Sequence, residues 1–307
     1  MKDLNLKGKL IIICILIFFL LAGIVACSSE APPEQSQLPE SPAQSAPADH
    51  PDPQPPPEPS PEPQPPEQDP PEPVELIIFA AASMTDTLEE VAELYKNVAP
   101  HVALIFNFDS SGTLKTQIEE GAHSDLFVSA AQRQMNELEE LGFLQPDTRV
   151  NILENKVTLV SAPGNPKNLT GFDSLVEALL GENILLAIGN SDVPVGQYTI
   201  SIFEYFDLDE ETLVKLGVLT YGSNVREVTT QVREASVDAG IVYKTDAFSA
   251  GLEVLDSATP EMCGQVIYPA AVLNISMNIN EAQAFLDFLF TSEAIAVFEN
   301  VGFSALR

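Results

Sequence analysis

The chain passes through three regions of different hydrophobic pattern. Residues 10–26 form an uncharged apolar run, and the stretch from there to about residue 74 is dominated by Pro, Glu, Gln, Ser and Ala. From residue 75 onward, short apolar runs alternate with segments in which apolar residues recur at helical spacing. Only this last region has the periodicity of packed secondary structure. The pattern therefore predicts a leader, a linker and a folded body.

The body is predicted to alternate strands with helices. The predicted strands are residues 75–80, 102–108, 125–129, 156–161, 184–188, 239–243 and 266–273. The predicted helices include residues 87–97, 113–120, 195–206, 227–235 and 282–290. Such alternation is typical of an α/β protein whose sheets are mainly parallel and covered by helices on both faces.

The body is also long enough for two modest lobes. The alternation of strands and helices starts again after residue 156. We therefore expect residues 75–156 and 249–307 to form a first lobe and residues 157–248 to form a second, with the chain crossing between them twice.

The leader is typical of a secreted protein. Basic residues precede the apolar run, which ends in Ile24-Val25-Ala26-Cys27, and two serines follow. This segment resembles a bacterial lipobox, which implies a signal peptide over residues 1–26 and lipidation of Cys27. A simple transmembrane anchor is the alternative, because the apolar run approaches the length that spans a bilayer. Both interpretations place the rest of the chain outside the cytoplasm and attach it to a membrane.

Residues 27–74 are predicted to form a tether. Their composition cannot bury enough apolar surface to fold, and proline favours the extended polyproline II conformation. At ~3.1 Å per residue, such a segment of about 45 residues reaches on the order of 140 Å when fully extended. The tether is therefore expected to act as a semi-rigid spacer between the membrane and the body.

The composition excludes several classes of function. The chain has 14 Lys and Arg against 45 Asp and Glu, a net charge of -31, whereas a nucleic-acid binder needs a basic face. Cys263 is the one cysteine of the body, so neither an internal disulfide nor a cysteine-based zinc site can form there. His101 and His123 have no partner at metal-ligand spacing and are expected in loops. We therefore expect no catalytic residues, no directly coordinated metal cation and no cofactor.

Candidate chemistry lies where predicted strands end and helices begin. Segments rich in Ser, Gly and Asn occupy these points, namely Ala80–Thr85, Asp109–Thr113, Pro194–Tyr198 and Ser223–Glu227. Helix N-termini present free backbone N–H groups and a partial positive charge, so they bind anions. Taken singly, Ser83, Ser111 and Ser223 read as ordinary helix N-caps. Taken together, two segments in each half of the body indicate an anion site.

Short motifs also follow one another in a characteristic order along the body. They are Phe79–Thr85, Asp109–Leu114, Ser124–Ala130, Val193–Tyr198, Asn224–Arg226, Gly240–Ala247, Tyr268–Val272 and Gly302–Phe303. As an ordered set, they resemble the periplasmic molybdate-binding components of ABC transporters. The resemblance covers about residues 75–307 and implies a type II periplasmic-binding-protein fold, with the ligand between two lobes.

The resemblance implies specific ligand contacts. Ser83 and Ser111 would donate hydrogen bonds from hydroxyl and backbone, Val195 and Val225 from backbone N–H, and Tyr243 from its phenol. The ligand would be molybdate or tungstate, and the partner would be an ABC transporter permease. The protein would be a monomeric, lipid-anchored binding protein outside the cytoplasm. Arg226 is expected to form a structural ion pair.

Three other interpretations remain open at this stage. The first is a binding protein for sulfate, phosphate or another solute. The second is an enzyme on the same fold, which would need a general base near Ser83. The third is an adhesin or structural lipoprotein, which the tether alone would fit.

Overall fold

The computed structural model describes residues 72–306. The predicted signal peptide, the lipidation site at Cys27 and nearly all of the tether lie outside the described residues. Between residues 72 and 306, no helix combines the length and the apolar character needed to cross a membrane.

The described residues alternate strands and helices, as the pattern predicts. The strands are β1 (Val74–Ala81), β2 (Val102–Asp109), β3 (Leu126–Val128), β4 (Val150–Asn155), β5 (Val157–Ser161), β6 (Leu186–Gly189), β7 (Leu219–Gly222), β8 (Ala239–Tyr243), β9 (Val254–Ser257), β10 (Val266–Val272) and β11 (Ser304–Ala305). The helices are α1 (Thr85–Val98), α2 (Ser111–Glu119), α3 (Gln132–Glu140), α4 (Phe172–Leu180), α5 (Pro194–Tyr205), α6 (Glu210–Leu216), α7 (Val225–Arg233), α8 (Lys244–Ala250), α9 (Pro260–Cys263), α10 (Ile279–Phe288) and α11 (Ser292–Val301). A single 3-10 turn at Ala82–Met84 joins β1 to α1.

The strands form two sheets, one in each lobe. The first has the order β11-β4-β10-β3-β1-β2 and the second the order β7-β6-β8-β5-β9. The expectation of mainly parallel sheets needs correction, because both sheets are mixed. In the first, β1 pairs parallel with β2 and β3, whereas β10 pairs antiparallel with β3 and β4. In the second, β5 runs antiparallel to β8 and β9. Strands that enter a sheet directly from the other lobe have no crossover helix to make them parallel.

The chain crosses between the lobes twice. It leaves the first sheet at the end of β4 and enters the second at β5, with only Lys156 between them. The expected return at residue 249 is too early, because β9 still pairs with β5 in the second sheet. The return lies between β9 and β10. Val254 is exposed and the rest of β9 is only half-buried, so the hydrophobic pattern gives little sign of a strand there.

The elements around the cleft begin where the local sequence favours a helix start. The side chain of Ser110 accepts a hydrogen bond from the N–H of Thr113, which caps α2. Asn224 caps α7 in the same way through the N–H of Glu227. Pro194 opens α5, where its missing N–H costs no intrahelical bond. A methyl group at Gly196 would lie 2.3 Å from the carbonyl oxygen of Gly189, so the start of α5 packs tightly against the end of β6.

Candidate ligand-binding cleft

Four helix starts meet between the lobes, and we call the space among them the cleft. The first lobe contributes the Ala82–Met84 turn and α2, and the second contributes α5 and α7. The N–H of Gly112 in α2 donates to the carbonyl of Asp192, just before α5, at 3.1 Å. The side chain of Asn224 donates to Asp109 Oδ1 at 3.4 Å, and the Ala82–Met84 turn packs on α7. Direct contacts therefore join the two sides of the cleft.

Ser111 is the first residue of α2 and is completely buried. Its Oγ accepts a hydrogen bond from the N–H of Ala130 at 2.9 Å. The N-cap of this helix is Ser110, so the alternative interpretation of Ser111 as a cap is wrong. Because its oxygen is engaged by a donor, the Ser111 hydroxyl keeps its own proton for another acceptor.

Ser83 lies in the 3-10 turn that follows β1. Its Oγ is 2.9 Å from the Oη of Tyr268. The N-cap position of α1 is occupied by Met84, with no side-chain hydrogen bond, so Ser83 does not cap this helix. In α7, likewise, the capping side chain belongs to Asn224 rather than to Ser223.

Val195 and Val225 stand at the starts of the second-lobe helices. Val225 is the first residue of α7, and Val195 follows Pro194 at the start of α5. Both side chains are apolar and buried, so the polar groups that these residues offer belong to the backbone. The first N–H groups of a helix have no acceptor within that helix, and the helix dipole makes them favourable neighbours for an anion.

Tyr243 ends β8 and is almost fully buried. Its Oη has no hydrogen-bond partner within residues 72–306. Its ring packs edge-on against Tyr268, with 5.9 Å between ring centroids, and Tyr268 in turn contacts Ser83. Burial, reinforced by nearby Tyr268, raises the pKa of the Tyr243 phenol well above its ordinary value. The group therefore remains a protonated donor, and a buried polar atom without a partner calls for an explanation.

A family model described as bacterial extracellular solute-binding protein matches residues 76–304. This chain belongs to that family. Solute-binding proteins of this kind are not an enzyme family, and the family description agrees with a location outside the cytoplasm. The expected type II periplasmic-binding-protein fold is confirmed by the match to solved periplasmic binding proteins.

Individual relatives cover the same part of this solute-binding protein. YvgL of Bacillus subtilis, whose name describes it provisionally as an ABC transporter substrate-binding lipoprotein, is 34% identical over 240 residues, or 76% of this chain and 87% of YvgL. The molybdate-binding protein ModA of Haemophilus influenzae is 32% identical over 242 residues, or 75% of this chain and 90% of ModA. A solved substrate-binding domain from Clostridium difficile, titled provisionally as part of a molybdenum ABC transporter, is 30% identical with a TM-score of 0.58, covering 76% of this chain and all of that domain.

Two charged groups of this solute-binding protein near the cleft differ in their pairing. The expected ion pair of Arg226 is confirmed: its Nη1 lies 3.1 Å from Asp86 Oδ1 and joins α7 to α1. Asp246 in α8 is buried, and its Oδ2 has no hydrogen-bond partner among the described residues. Burial raises the pKa of Asp246 to about 7, although the nearby Arg226 guanidinium opposes the shift.

The other candidate reactive groups are two histidines and one thiol. His101 and His123 lie in loops, as predicted. Burial raises the pKa of the Cys263 thiol to about 11, so it is a weak nucleophile at neutral pH. Within the described part of the chain, no group of three His, Cys, Asp or Glu side chains is arranged to hold a metal ion.

Two residues beside the cleft have no role in the sequence-based site. Tyr268 contacts Ser83, and Asn155 contacts Tyr268 with Nδ2 at 3.3 Å from Oη. The Tyr268–Val272 motif marks the first of these positions, but its spacing gives no reason to aim the phenol at Ser83. The carbonyl of Asp192, which contacts Gly112, is a backbone group and leaves no mark in the sequence.

Proposed function

We propose that this protein is the substrate-binding component of an ABC importer and binds molybdate or tungstate in the cleft. The molybdate-binding relatives and the molybdenum-transporter domain support this assignment. The proposed contacts are the hydroxyls of Ser83, Ser111 and Tyr243 with the backbone N–H groups of Val195 and Val225.

One observation supports the proposal: uncharged groups with hydrogen-bond donors to spare occur at and next to the helix starts around the cleft. The Ser111 oxygen already accepts from Ala130, which leaves its proton free, and the buried Tyr243 phenol lacks an acceptor among residues 72–306. The starts of α5 and α7 add unpaired N–H groups. Arg226, the cation next to the proposed donor Val225, is paired with Asp86. Such a site suits an oxyanion with no proton of its own.

Neutral donors are sufficient for tight binding despite the net charge of -31. Each hydrogen bond to a charged group contributes roughly 1.5–3 kcal/mol. About seven such bonds give on the order of 10–20 kcal/mol, whereas micromolar to nanomolar affinity needs about 8–12 kcal/mol net. The difference offsets desolvation of the dianion and closure of the lobes.

The donor set also favours some anions over others. Hydrogen phosphate carries a proton that would meet another donor, at a cost of roughly 1–3 kcal/mol. Sulfate has the right charge but is smaller than molybdate, so donors spaced for the larger ion would make longer and weaker bonds to it. Tungstate is nearly the same size as molybdate and is expected to bind about as well.

Lobe closure is proposed to follow ligand binding. The ligand touches donors of both lobes only when the lobes are closed, so it favours the closed state. The contacts of Gly112 with Asp192 and of Asn224 with Asp109 are those of a closed cleft. We further propose that lipidated Cys27 and the tether hold a monomeric protein at the membrane, within reach of its permease.

Competition calorimetry with molybdate, tungstate, chromate, sulfate and phosphate tests the proposal. We expect molybdate and tungstate to bind at micromolar concentration or below, and sulfate and phosphate to bind at least about tenfold more weakly. Tighter binding of sulfate or phosphate would instead identify a transporter component for that anion. A structural lipoprotein or adhesin would bind none of the five and would show no ligand-dependent rise in melting temperature.

A further inference from the structure

A chain of three side chains leads from the crossover between the lobes to the cleft. Asn155, the last residue of β4, places Nδ2 3.3 Å from Tyr268 Oη. Tyr268 Oη lies 2.9 Å from Ser83 Oγ. Asn155 and Tyr268 are both buried, so solvent does not compete for their hydrogen bonds.

The backbone fixes the orientation of the Asn155 amide. The N–H of Lys156 donates to Asn155 Oδ1 at 2.8 Å. A backbone N–H can only donate, so the atom facing it must be the carbonyl oxygen. The amide nitrogen therefore faces the other way, where it lies 2.9 Å from Thr245 Oγ1 and also reaches Tyr268.

The direction of the next bond follows from this orientation. The amide nitrogen of Asn155 is a donor only, so the Tyr268 oxygen accepts from it. The remaining partner of the Tyr268 hydroxyl within the described residues is Ser83 Oγ. Tyr268 must therefore donate its proton to Ser83, since a buried hydroxyl proton without an acceptor is costly. One lone pair of the Ser83 oxygen is then occupied, and its own proton is left for the ligand.

We infer that Asn155 and Tyr268 are positioning residues that fix the Ser83 hydroxyl as a donor and thereby select oxyanions without a proton. The inference rests on the proposed function, in which Ser83 contacts the ligand. A free serine hydroxyl rotates and can either donate or accept. A serine that accepts from Tyr268 directs its proton to the ligand, so the O–H of a protonated oxyanion meets a second proton there rather than an acceptor.

Selenate and hydrogenarsenate provide the test. At mildly alkaline pH both are dianions of similar size, but only hydrogenarsenate carries a proton. Their dissociation constants are measured by displacement of molybdate from the full-length protein, and the ratio of the two constants is the readout. A loss of packing weakens the binding of both anions together. A loss of the orientation of the Ser83 hydroxyl changes the ratio of the two dissociation constants.

Two variants disturb the orientation of the Ser83 hydroxyl in different ways. Tyr268→Phe removes the donor to Ser83, and we expect the preference for selenate to fall at least about fivefold. Asn155→Asp keeps the size of the side chain but replaces the amide donor with an acceptor for the Tyr268 proton. Ser83 would then donate to Tyr268 and turn its oxygen to the ligand, so the preference should fall at least as far. The added charge acts equally on both dianions and leaves the ratio unaffected.

Tyr95→Phe is the matched control. Tyr95 is a buried tyrosine in the first lobe, packed on Phe285 and Phe288. This variant should keep the wild-type ratio. An unchanged ratio in either folded cleft variant, or a parallel loss of both anions, would overturn the inference while leaving the proposed function intact. If the wild-type protein itself bound none of the three anions, the proposed function would fail and the inference with it.

Discussion

Single hydroxyl groups carry much of the proposed affinity, and Ser111 provides the cleanest case. We predict that Ser111→Ala weakens molybdate binding by at least ~1 kcal/mol, because it removes one hydrogen bond to a charged ligand. The fold should persist with a modest loss of stability, since the N–H of Ala130 loses its acceptor. Calorimetry and thermal unfolding measure the two effects.

A matched serine lies far from the cleft. Ser161 is buried and its hydroxyl lacks a partner within residues 72–306. It pairs with Ala239, at the opposite end of β8 from Tyr243. Ser161→Ala should therefore leave the affinity unchanged, and equal affinities of the two alanine variants would remove Ser111 from the site.

The buried carboxyl of Asp246 predicts a pH dependence of stability. Its pKa in the folded protein is about 7, above the ordinary value of about 4 for Asp. Between these values the folded protein holds a proton that the unfolded chain has released. Stability from this group is therefore fully present at low pH and is lost as pH rises toward and through 7, by roughly 1.4 kcal/mol per pH unit at most.

The Asp246→Asn variant isolates this contribution. The difference in unfolding free energy between wild type and variant, measured by urea denaturation, should change by on the order of 2 kcal/mol between mildly acidic and neutral pH. The wild type should lose stability relative to the variant as pH rises. Parallel profiles would mean that Asp246 titrates at its ordinary pKa.

Local sequence patterns predict most of the residues at the cleft but not the hydrogen bonds that these residues form. The motifs single out Ser111, yet the local sequence does not tell which of two neighbouring serines caps α2. Ser110 does so, because it is the residue that precedes the helix. The Tyr268–Ser83 contact joins residues far apart in sequence, so no pattern of local spacing could reveal it.

Closure of the lobes leaves little space at the start of α2. A methyl group at Gly112 would lie 2.1 Å from the carbonyl oxygen of Asp192 in the other lobe. The Asp192 oxygen is a backbone atom of a packed segment and cannot easily move aside. Gly112→Ala should therefore prevent full closure of the lobes. We predict at least a tenfold loss of molybdate affinity, about 1.4 kcal/mol.

Folding of the lobes should be unaffected by this change, since alanine is favoured over glycine within a helix. Small-angle X-ray scattering should show compaction of the wild-type protein with molybdate and little compaction of the variant. A variant that compacts and binds like the wild type would show that Gly112 and Asp192 do not meet in the ligand-bound state.

The strands and helices themselves were predictable to different degrees. Buried strands such as β1 and β8 give continuous apolar runs, and α1 shows a clear amphipathic face, so their positions follow from the sequence. Strand β9 is half-exposed at the edge of its sheet, so it lacks that signal. This strand moves the boundary between the lobes beyond residue 249, because its partner is β5.

The molecule combines an acidic chain with the proposed anion site, and the position of the donors removes the apparent conflict. Ligand affinity depends on the few donors that face the cleft and far less on the net charge, because charges more than about 10 Å away are largely screened at physiological salt. The acidic residues of the predicted tether, residues 27–74, add to the net charge but lie outside the proposed site. The closed arrangement of the lobes depends on contacts between distant segments, and for that reason the sequence predicts the donors but not how the two halves meet.

A crystal structure of the protein grown with tungstate tests this arrangement most directly, because tungsten gives a strong anomalous signal. We predict one tetrahedral ion in the cleft, within hydrogen-bond distance of the hydroxyls of Ser83, Ser111 and Tyr243 and of the N–H groups of Val195 and Val225. An empty cleft, or an ion bound only elsewhere on the protein, would contradict the proposed arrangement of donors.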